Sequence, residues 1–408
     1  MNRAERRRLE KLSRHASPED LLNSAARFHR ANQLTEAEAG YRAFLKRSPG
    51  HAQALHLLGL VCHQSGRNRE AAEFIAEAER LMPGDATIPY NLGNCLMAER
   101  RPADAADAFR RALALQPGHV DSLNNLGTSL QRLNQLDAAI KTYRQALEAD
   151  PSRIDALSNM AHALLALGRR DEAISAYRQV LLRQPEHGTA RHMIAAMSGE
   201  TPAAAPIDYV SRLFDEYADR FDQHVTAELG YAPQRFVEVL RRAAGSDRRF
   251  ATCLDLGCGT GISGAFLRPI ADRLIGVDLS AGMLAQAQSR GVYDALSLDA
   301  IEPFLEKTVE RFDLFFAADV FIYVGAVDRL FGQAAQRATA GAWFAFSAET
   351  AEGENFALRP SGRYAHSLPY LERVMSAAGW QLRDRETLTI RTEHNVAIPG
   401  LAIAAQRR

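Results

Sequence analysis

Lysine is nearly missing from these 408 residues: positions 11, 46, 141 and 307 hold all of it among 49 basic side chains. Arginine supplies the rest, a bias that fits a GC-rich genome, and no phosphate-binding role is drawn from it. Cysteine is sparse as well. Cys62, Cys95, Cys253 and Cys258 form no CxxC pair, which argues against a disulfide framework and against a zinc site. No apolar run reaches the ~18 residues of a membrane span, since the longest, Leu314 to Val324, is broken by Asp319. Charge of one sign does not prevail either. Basic and acidic residues number 49 each, so nothing in the total charge favours nucleic acid or an anionic membrane. The basic stretch Arg3 to Arg14 leads into no apolar core and is not a secretory signal. These absences lead us to expect a cytoplasmic protein with no metal, nucleic-acid or membrane partner. What is present, 47% apolar and 24% charged residues, suits a globular chain of two or three domains.

Prolines recur every 34 residues at Pro49, Pro83, Pro117, Pro151 and Pro185. In the same frame run Ala37, Ala71, Ala105, Ala139 and Ala173, then Tyr41, Ile75, Phe109, Tyr143 and Tyr177, and also Gly59, Gly93 and Gly127, continued by Ala161. Each period carries two amphipathic stretches, for example Leu123, Leu126 and Leu130, then Ala139, Ile140, Tyr143 and Leu147. Their spacing predicts a helix pair per repeat. The small residues let two helices approach, the large residue four positions on fills the groove, and proline ends the second helix. The segment resembles the tetratricopeptide repeat family in five copies. It departs from the pattern at Ala25, which replaces glycine, and at Pro89, which takes the first large apolar position of the third helix pair. The resemblance implies a solenoid over 18–198, closed by a capping helix from His187 to Met197, whose concave face receives an unidentified protein or peptide. A rigid spacer or dimer surface is the alternative. Arg67, Arg69, Arg100 and Arg101 read as solvated turns.

The sequence GETPAAAP, residues 199–206, breaks the period and has the composition of a linker. Beyond it, over 207–408, helices alternate with short apolar runs at Cys253 to Leu256, Leu274 to Val277, Ala295 to Leu298, Leu314 to Ala317, Ala342 to Phe346, Leu382 to Ile390 and Val396 to Ala404. Such alternation predicts an α/β doubly wound sheet of seven strands. The last two runs leave no room for a crossover helix, so the final strand is expected to be antiparallel. Ligands in such sheets bind beyond the carboxyl ends of the strands.

Leu254-Asp255-Leu256-Gly257-Cys258-Gly259-Thr260-Gly261 closes a strand and opens a helix, a place where glycines allow a tight turn and close approach to a ligand. Gly259, Gly261 and Gly264 also satisfy GxGxxG, which leaves a nicotinamide-dependent reductase open. The acids decide between them. Asp255, Asp278 and Asp299 stand at three successive strand ends, where acceptor-only carboxylates suit a diol and an amine. Here the chain resembles the class I S-adenosylmethionine-dependent methyltransferases, a Rossmann-like fold. The resemblance implies S-adenosylmethionine as cofactor, with Gly257, Gly259 and Gly261 beneath its methionine part and Asp255 near its amino group. It further implies Asp278 on the ribose hydroxyls, Met283 over one adenine face and Asp299 at the adenine amine. Each role has a plain counterpart, since Asp278 and Ser280 can cap a helix and Met283 can be core.

Methyl transfer from a sulfonium is an in-line displacement that relies on alignment more than on a nucleophilic side chain. Asp319 and Tyr323, after the fourth strand, are the acceptor-side candidates. The stretch from Phe214 to Asp222, followed by Leu229-Gly230-Tyr231, resembles the lid helices of small-molecule methyltransferases, in which Tyr217, Phe221 and Tyr231 close over the site; the same spacing also fits a core stripe. Arg363, Tyr364 and His366 lie in an RYAHS stretch that is similar to one in methyltransferases carrying these repeats. There Arg363 would hold an anionic acceptor, Tyr364 line the pocket and His366 act as a base, unless Ser367 merely caps the following helix. The acceptor is left as either a small molecule or a protein. A scaffold that has lost catalysis is the remaining alternative.

Overall fold

The computed structural model describes residues 17–223, 225, 233–393 and 396–408. The chain divides into two compact units, Met1–Pro185 and Glu186–Arg408. Among the described residues no helix is long and apolar enough to cross a membrane.

The first unit is five helix pairs, from Pro18–Arg30 with Leu34–Leu45 to Ile154–Ala166 with Arg170–Arg183. The 34-residue frame explains their packing. Ala37, Ala71, Ala105, Ala139 and Ala173 are wholly buried. At Gly59, Gly93 and Gly127 a Cβ would lie 2.4 Å from Ile75, 2.5 Å from Phe109 and 2.5 Å from Tyr143, so glycine on one helix makes room for the large residue of its mate. Two helices are capped by histidine, whose Nδ1 accepts the Ala54 N–H at His51 and the Ser122 N–H at His119, both at 3.2 Å. Pro89 sits in the first turn of Thr87–Ala98, where a missing N–H costs little. Arg67 is more than a solvated turn, because it donates to Glu38 and to Glu70, both at 2.9 Å, and so joins successive repeats.

In the second unit seven strands are ordered β3-β2-β1-β4-β5-β9-β8, with β1 Phe250–Leu256, β2 Ala271–Asp278, β3 Ala295–Leu298, β4 Phe312–Ala317, β5 Ala338–Glu349, β8 Trp380–Glu393 and β9 Val396–Arg407. β1 to β5 run parallel. β9 is antiparallel to both β5 and β8, as expected for the last strand. The carboxyl end of β8 therefore lies on the same edge as those of β1 to β5. Alternating side chains feed two cores, with Leu254, Leu256, Phe315 and Phe344 on one face and Cys253, Leu274, Phe316 and Trp343 on the other. A two-stranded ribbon, β6 Phe356–Leu358 with β7 Tyr364–His366, stands apart.

The division of the chain differs from the one expected at Gly199. Helix Gly188–Ser198, read above as a solenoid cap, belongs to the second unit. Its His192 Nε2 meets the Gly362 carbonyl at 2.7 Å, and its Gly188 N–H donates to Asp208 at 3.1 Å. The proline-containing linker is also fixed in place. Gly325 and Ala326 donate to the Ala203 carbonyl at 2.9 and 2.7 Å, and Ala205 donates to the Tyr323 carbonyl at 3.1 Å. This extended segment adds a short edge beside the loop after β4.

Substituting Gly127→Ala drives a methyl group into the Tyr143 ring, and the expected cost is about 1–3 kcal/mol. Thermal melting followed by helical circular dichroism should show a lowered midpoint; an unchanged midpoint would contradict this packing.

Candidate active site

A cavity of about 1100 Å³ opens at the carboxyl edge of the sheet, beside the switch point where β1 lies between β2 and β4. Its floor is the glycine loop. Gly257, Gly259 and Gly261 all have positive φ, at 65°, 55° and 85°, a region that side chains with a Cβ rarely adopt. At Gly257 a Cβ would also lie 2.7 Å from Val320. Gly264, the last glycine of the dinucleotide-like pattern, serves packing instead, since a Cβ there would lie 2.5 Å from the Tyr293 ring.

Asp278 ends β2 and holds the loop. One carboxylate oxygen accepts the Gly259 N–H at 2.8 Å and the other the Ser280 N–H at 2.9 Å. Burial raises its pKa even against these bonds and a further one from the Leu279 N–H, all of which favour the charged form. Ser280 also caps helix Ala281–Arg290 by accepting the Met283 N–H at 3.0 Å, so the plain and the functional readings of this turn coexist. Asp299, also in the cavity wall, accepts the Ala300 N–H at 2.9 Å and the Lys307 ammonium at 2.8 Å.

Helix Ile207–Gln223 forms one wall with Val210, Leu213, Phe214, Tyr217 and Phe221. Two carboxylates pin it. Asp215 accepts the Ser280 hydroxyl at 2.6 Å and the Gly282 N–H at 3.2 Å, and these bonds, led by the serine, lower its pKa. Asp222 accepts from the Thr260 hydroxyl of the glycine loop and from Arg290. The aromatic side chains pack edge to face, Tyr217 with Phe221 at 5.4 Å and Phe214 with Tyr323 at 5.2 Å between ring centroids. Tyr231, the third lid candidate, lies outside the described residues.

At the far end of the cavity stand Asp319, Tyr323, Ser361, Arg363, Arg391 and Thr392. Arg391 is only 2% exposed. It donates to Asp319 at 3.1 Å and to the equally buried Glu349 at the end of β5. A bulge sets it there: Thr389 pairs with Pro399 and Arg391 with Ile398, leaving Ile390 as the extra residue, and bulges re-aim neighbouring side chains. Burial raises the Tyr323 pKa, opposed by Arg363, which bonds its hydroxyl.

Five expected residues are not in this wall, the first being Gly261, whose neighbours are Tyr293 and Arg290. Asp255 is buried on the opposite side of β1 and accepts the Tyr293 hydroxyl at 2.7 Å; strand alternation turns it toward Cys253 and away from the cavity. Met283 is fully buried in its helix, and Leu279 lines the cavity in its place. Tyr364 packs against His192 and Phe356. His366 is fully buried and faces the Val324 and Gly325 carbonyls at 3.0 and 2.9 Å. Burial pushes its pKa down to about 4, and with its ring enclosed and outside the lining it is not placed to act as a base in the cavity. Ser367 caps the next helix by accepting the Tyr370 N–H at 3.2 Å. Conversely, Arg391 and Tyr293 were not foreseen. A lone arginine inside the strand-like run around Ile390 was the available signal for the first; nothing local marked the second.

Residues 24–86 and 90–154 match one tetratricopeptide repeat family model and 130–197 another, while 254–346 match a methyltransferase domain model. The chain thus joins tetratricopeptide repeats to a methyltransferase domain of Rossmann-like fold. Methyltransferase-like protein 27 of Homo sapiens is 44% identical over 86 residues, 21% of this chain. The match spans about a third, 35%, of that relative's own length. Among solved structures, the N-methyltransferase NodS from Bradyrhizobium japonicum WM9, in complex with S-adenosyl-L-homocysteine, is 16% identical, with a TM-score of 0.41 and coverage of 48% of this chain and 97% of that one. The tetratricopeptide repeat protein YrrB, described as having an unusual peptide-binding site, is 23% identical, with a TM-score of 0.41 and coverage of 45% and 95%.

Burial raises the Asp255 pKa to about 7 despite the Tyr293 bond. Below the unfolded carboxyl range, near 4, both states are protonated and no penalty arises; as pH rises to about 7 the unfolded chain ionises first and the folded unit loses stability. Asp255→Asn, which keeps an acceptor for Tyr293, should therefore raise the melting midpoint more at pH 8 than at pH 5. Tryptophan fluorescence reads this, because the chain's two tryptophans, Trp343 and Trp380, lie in the second unit. An equal gain at both pH values would contradict the assignment.

Proposed function

We propose that the protein is an S-adenosylmethionine-dependent methyltransferase, acting on a small-molecule or protein acceptor, whose repeats bind a protein or peptide. The carrying observation is Asp278. Its carboxylate lines the cavity and is held by the Gly259 and Ser280 N–H groups, one on each oxygen, with a further bond from the Leu279 N–H; these do not exhaust the acceptor sites of a carboxylate, which leaves capacity for ribose hydroxyls. The residues around it fit the rest of an adenosyl group: Leu279, Ala300 and Ile301 give apolar surface, Asp299 an acceptor, and the glycine loop close backbone approach. No arginine or lysine lies within the loop itself, which suits a sulfonium better than the pyrophosphate of a nicotinamide cofactor. When bound, S-adenosylmethionine supplies a methyl group on a positively charged sulfur.

The chain's own contribution is alignment and exclusion of water. Phe214, Tyr217 and Phe221 wall the cavity. Asp215 and Asp222 keep them there by tying their helix to the helix after β2 and to Thr260. The acceptor meets Asp319, Tyr323 and Arg363 at the other end. Asp255 supports the loop from below by way of Tyr293, a different role from direct contact with an amino group.

Isothermal titration tests the reading. S-adenosylmethionine and S-adenosylhomocysteine should bind with micromolar affinity while NADH does not, and Asp278→Ala should weaken the adenosyl compounds by roughly tenfold or more. Folded protein that binds neither adenosyl compound would refute the reading.

A further inference from the structure

The acceptor end also bears on which nucleophile is methylated, an inference that rests on the methyl transfer proposed above. Asp319 is the one non-glycine residue with positive φ, 60°, among the described residues of the second unit. The conformation is unfavourable for a side chain with a Cβ, and two contacts hold it: the Asp319 N–H donates to the Ser347 hydroxyl at 2.8 Å, and Arg391 donates to Oδ1 at 3.1 Å. Its other oxygen, Oδ2, takes no hydrogen bond among the described residues, and Asp319 lines the cavity. The arginine is in turn fixed by Glu349, which is 2% exposed and lies 3.5 Å from Arg359.

We propose that the acceptor is an amine with an apolar body whose N–H donates to Asp319, and that Arg391 is the residue that positions this carboxylate. Three acceptor chemistries compete for the site. A carboxylate would lie beside the like charge of Asp319, and the Arg391 guanidinium that could offset this is already paired with Asp319 and Glu349, with Arg363 bonded to Tyr323. An alcohol needs a base to take its proton, and His366 is sealed off beneath the loop. An amine that enters as its ammonium first gives one proton to water; the neutral amine is a stronger nucleophile than a neutral alcohol and then needs only orientation. Positive charge grows on its nitrogen during transfer, where the Asp319 carboxylate stabilises it, beside the cavity-lining rings of Phe214 and Tyr323. The nitrogen lone pair forms the N–C bond as the C–S bond breaks and its electron pair stays on sulfur; the resulting ammonium then releases one proton to water. Phe214, Ile322, Val210 and Leu213 supply the apolar surface for the rest of the molecule.

The full chain saturated with S-adenosylhomocysteine is titrated with benzylamine and with phenylacetate, probes of similar body and opposite charge. Benzylamine should bind at least roughly tenfold tighter. Asp319→Asn should abolish the difference, Arg391→Gln should reduce it and Arg391→Lys should restore part of it, with circular dichroism reporting that each variant is folded. Equal binding, binding of neither probe, or a preference that survives Asp319→Asn would overturn the inference while leaving the cofactor reading intact. A chain that fails to bind S-adenosylhomocysteine overturns both.

Discussion

The whole carboxyl edge of the second unit depends on one buried carboxylate. Asp278 is the last residue of β2, and through Gly259 and Ser280 it joins the turn after β1 to the turn after β2. Of the three glycines in positive-φ conformations, Gly257 and Gly261 donate to the Val277 and Cys258 carbonyls at 2.8 and 2.9 Å, and Gly259 between them relies on Asp278. Burial makes the ionised form costly, and the amide bonds from Ser280, Gly259 and Leu279 offset that cost only in part. A ligand that adds further donors to the same oxygens completes the set. The loop, the capped helix after it and the pinned wall helix all follow from this arrangement, because Ser280 and Thr260 are the residues that Asp215 and Asp222 grip.

The fold was legible because both of its periods are local. A 34-residue frame of proline, alanine and glycine specifies helix pairs without reference to anything distant, and alternating strands and helices specify a parallel sheet. The glycine loop and the acids Asp278 and Asp299 at the ends of β2 and β3 were legible for the same reason, since each sits at a strand end that its own neighbours define. Histidine caps were missed, although His51, His119 and His187 recur at twice the repeat length. Their role depends on ring geometry and not on residue class.

Tyr217, Phe221, Asp319, Tyr323 and Arg363 were also named from the sequence and line the cavity, whereas other placements depend on long-range register. Arg391 meets Asp319 across 72 positions and Glu349 across 42, and a single bulged residue decides which way it points. Asp255 stood in the right motif, yet strand alternation places it behind the sheet with Tyr293. Met283 and Leu279 lie four residues apart beside the same cap, and only the packed helix decides which of them reaches the cavity. His366 read as a candidate base in a polar segment, but the ribbon pairing of β6 with β7 buries it against two carbonyls. The prolines of residues 199–206 suggested a tether, whereas Ala203 and Ala205 have backbone partners in the loop after β4.

A crystal structure of the chain with S-adenosylhomocysteine tests the central claim most directly. The account predicts both ribose hydroxyls on the Asp278 carboxylate, adenine against Leu279 and Ile301 with its amine toward Asp299, and sulfur facing Asp319 and Tyr323. Electron density for the ligand elsewhere, or a ribose turned away from Asp278, would contradict it.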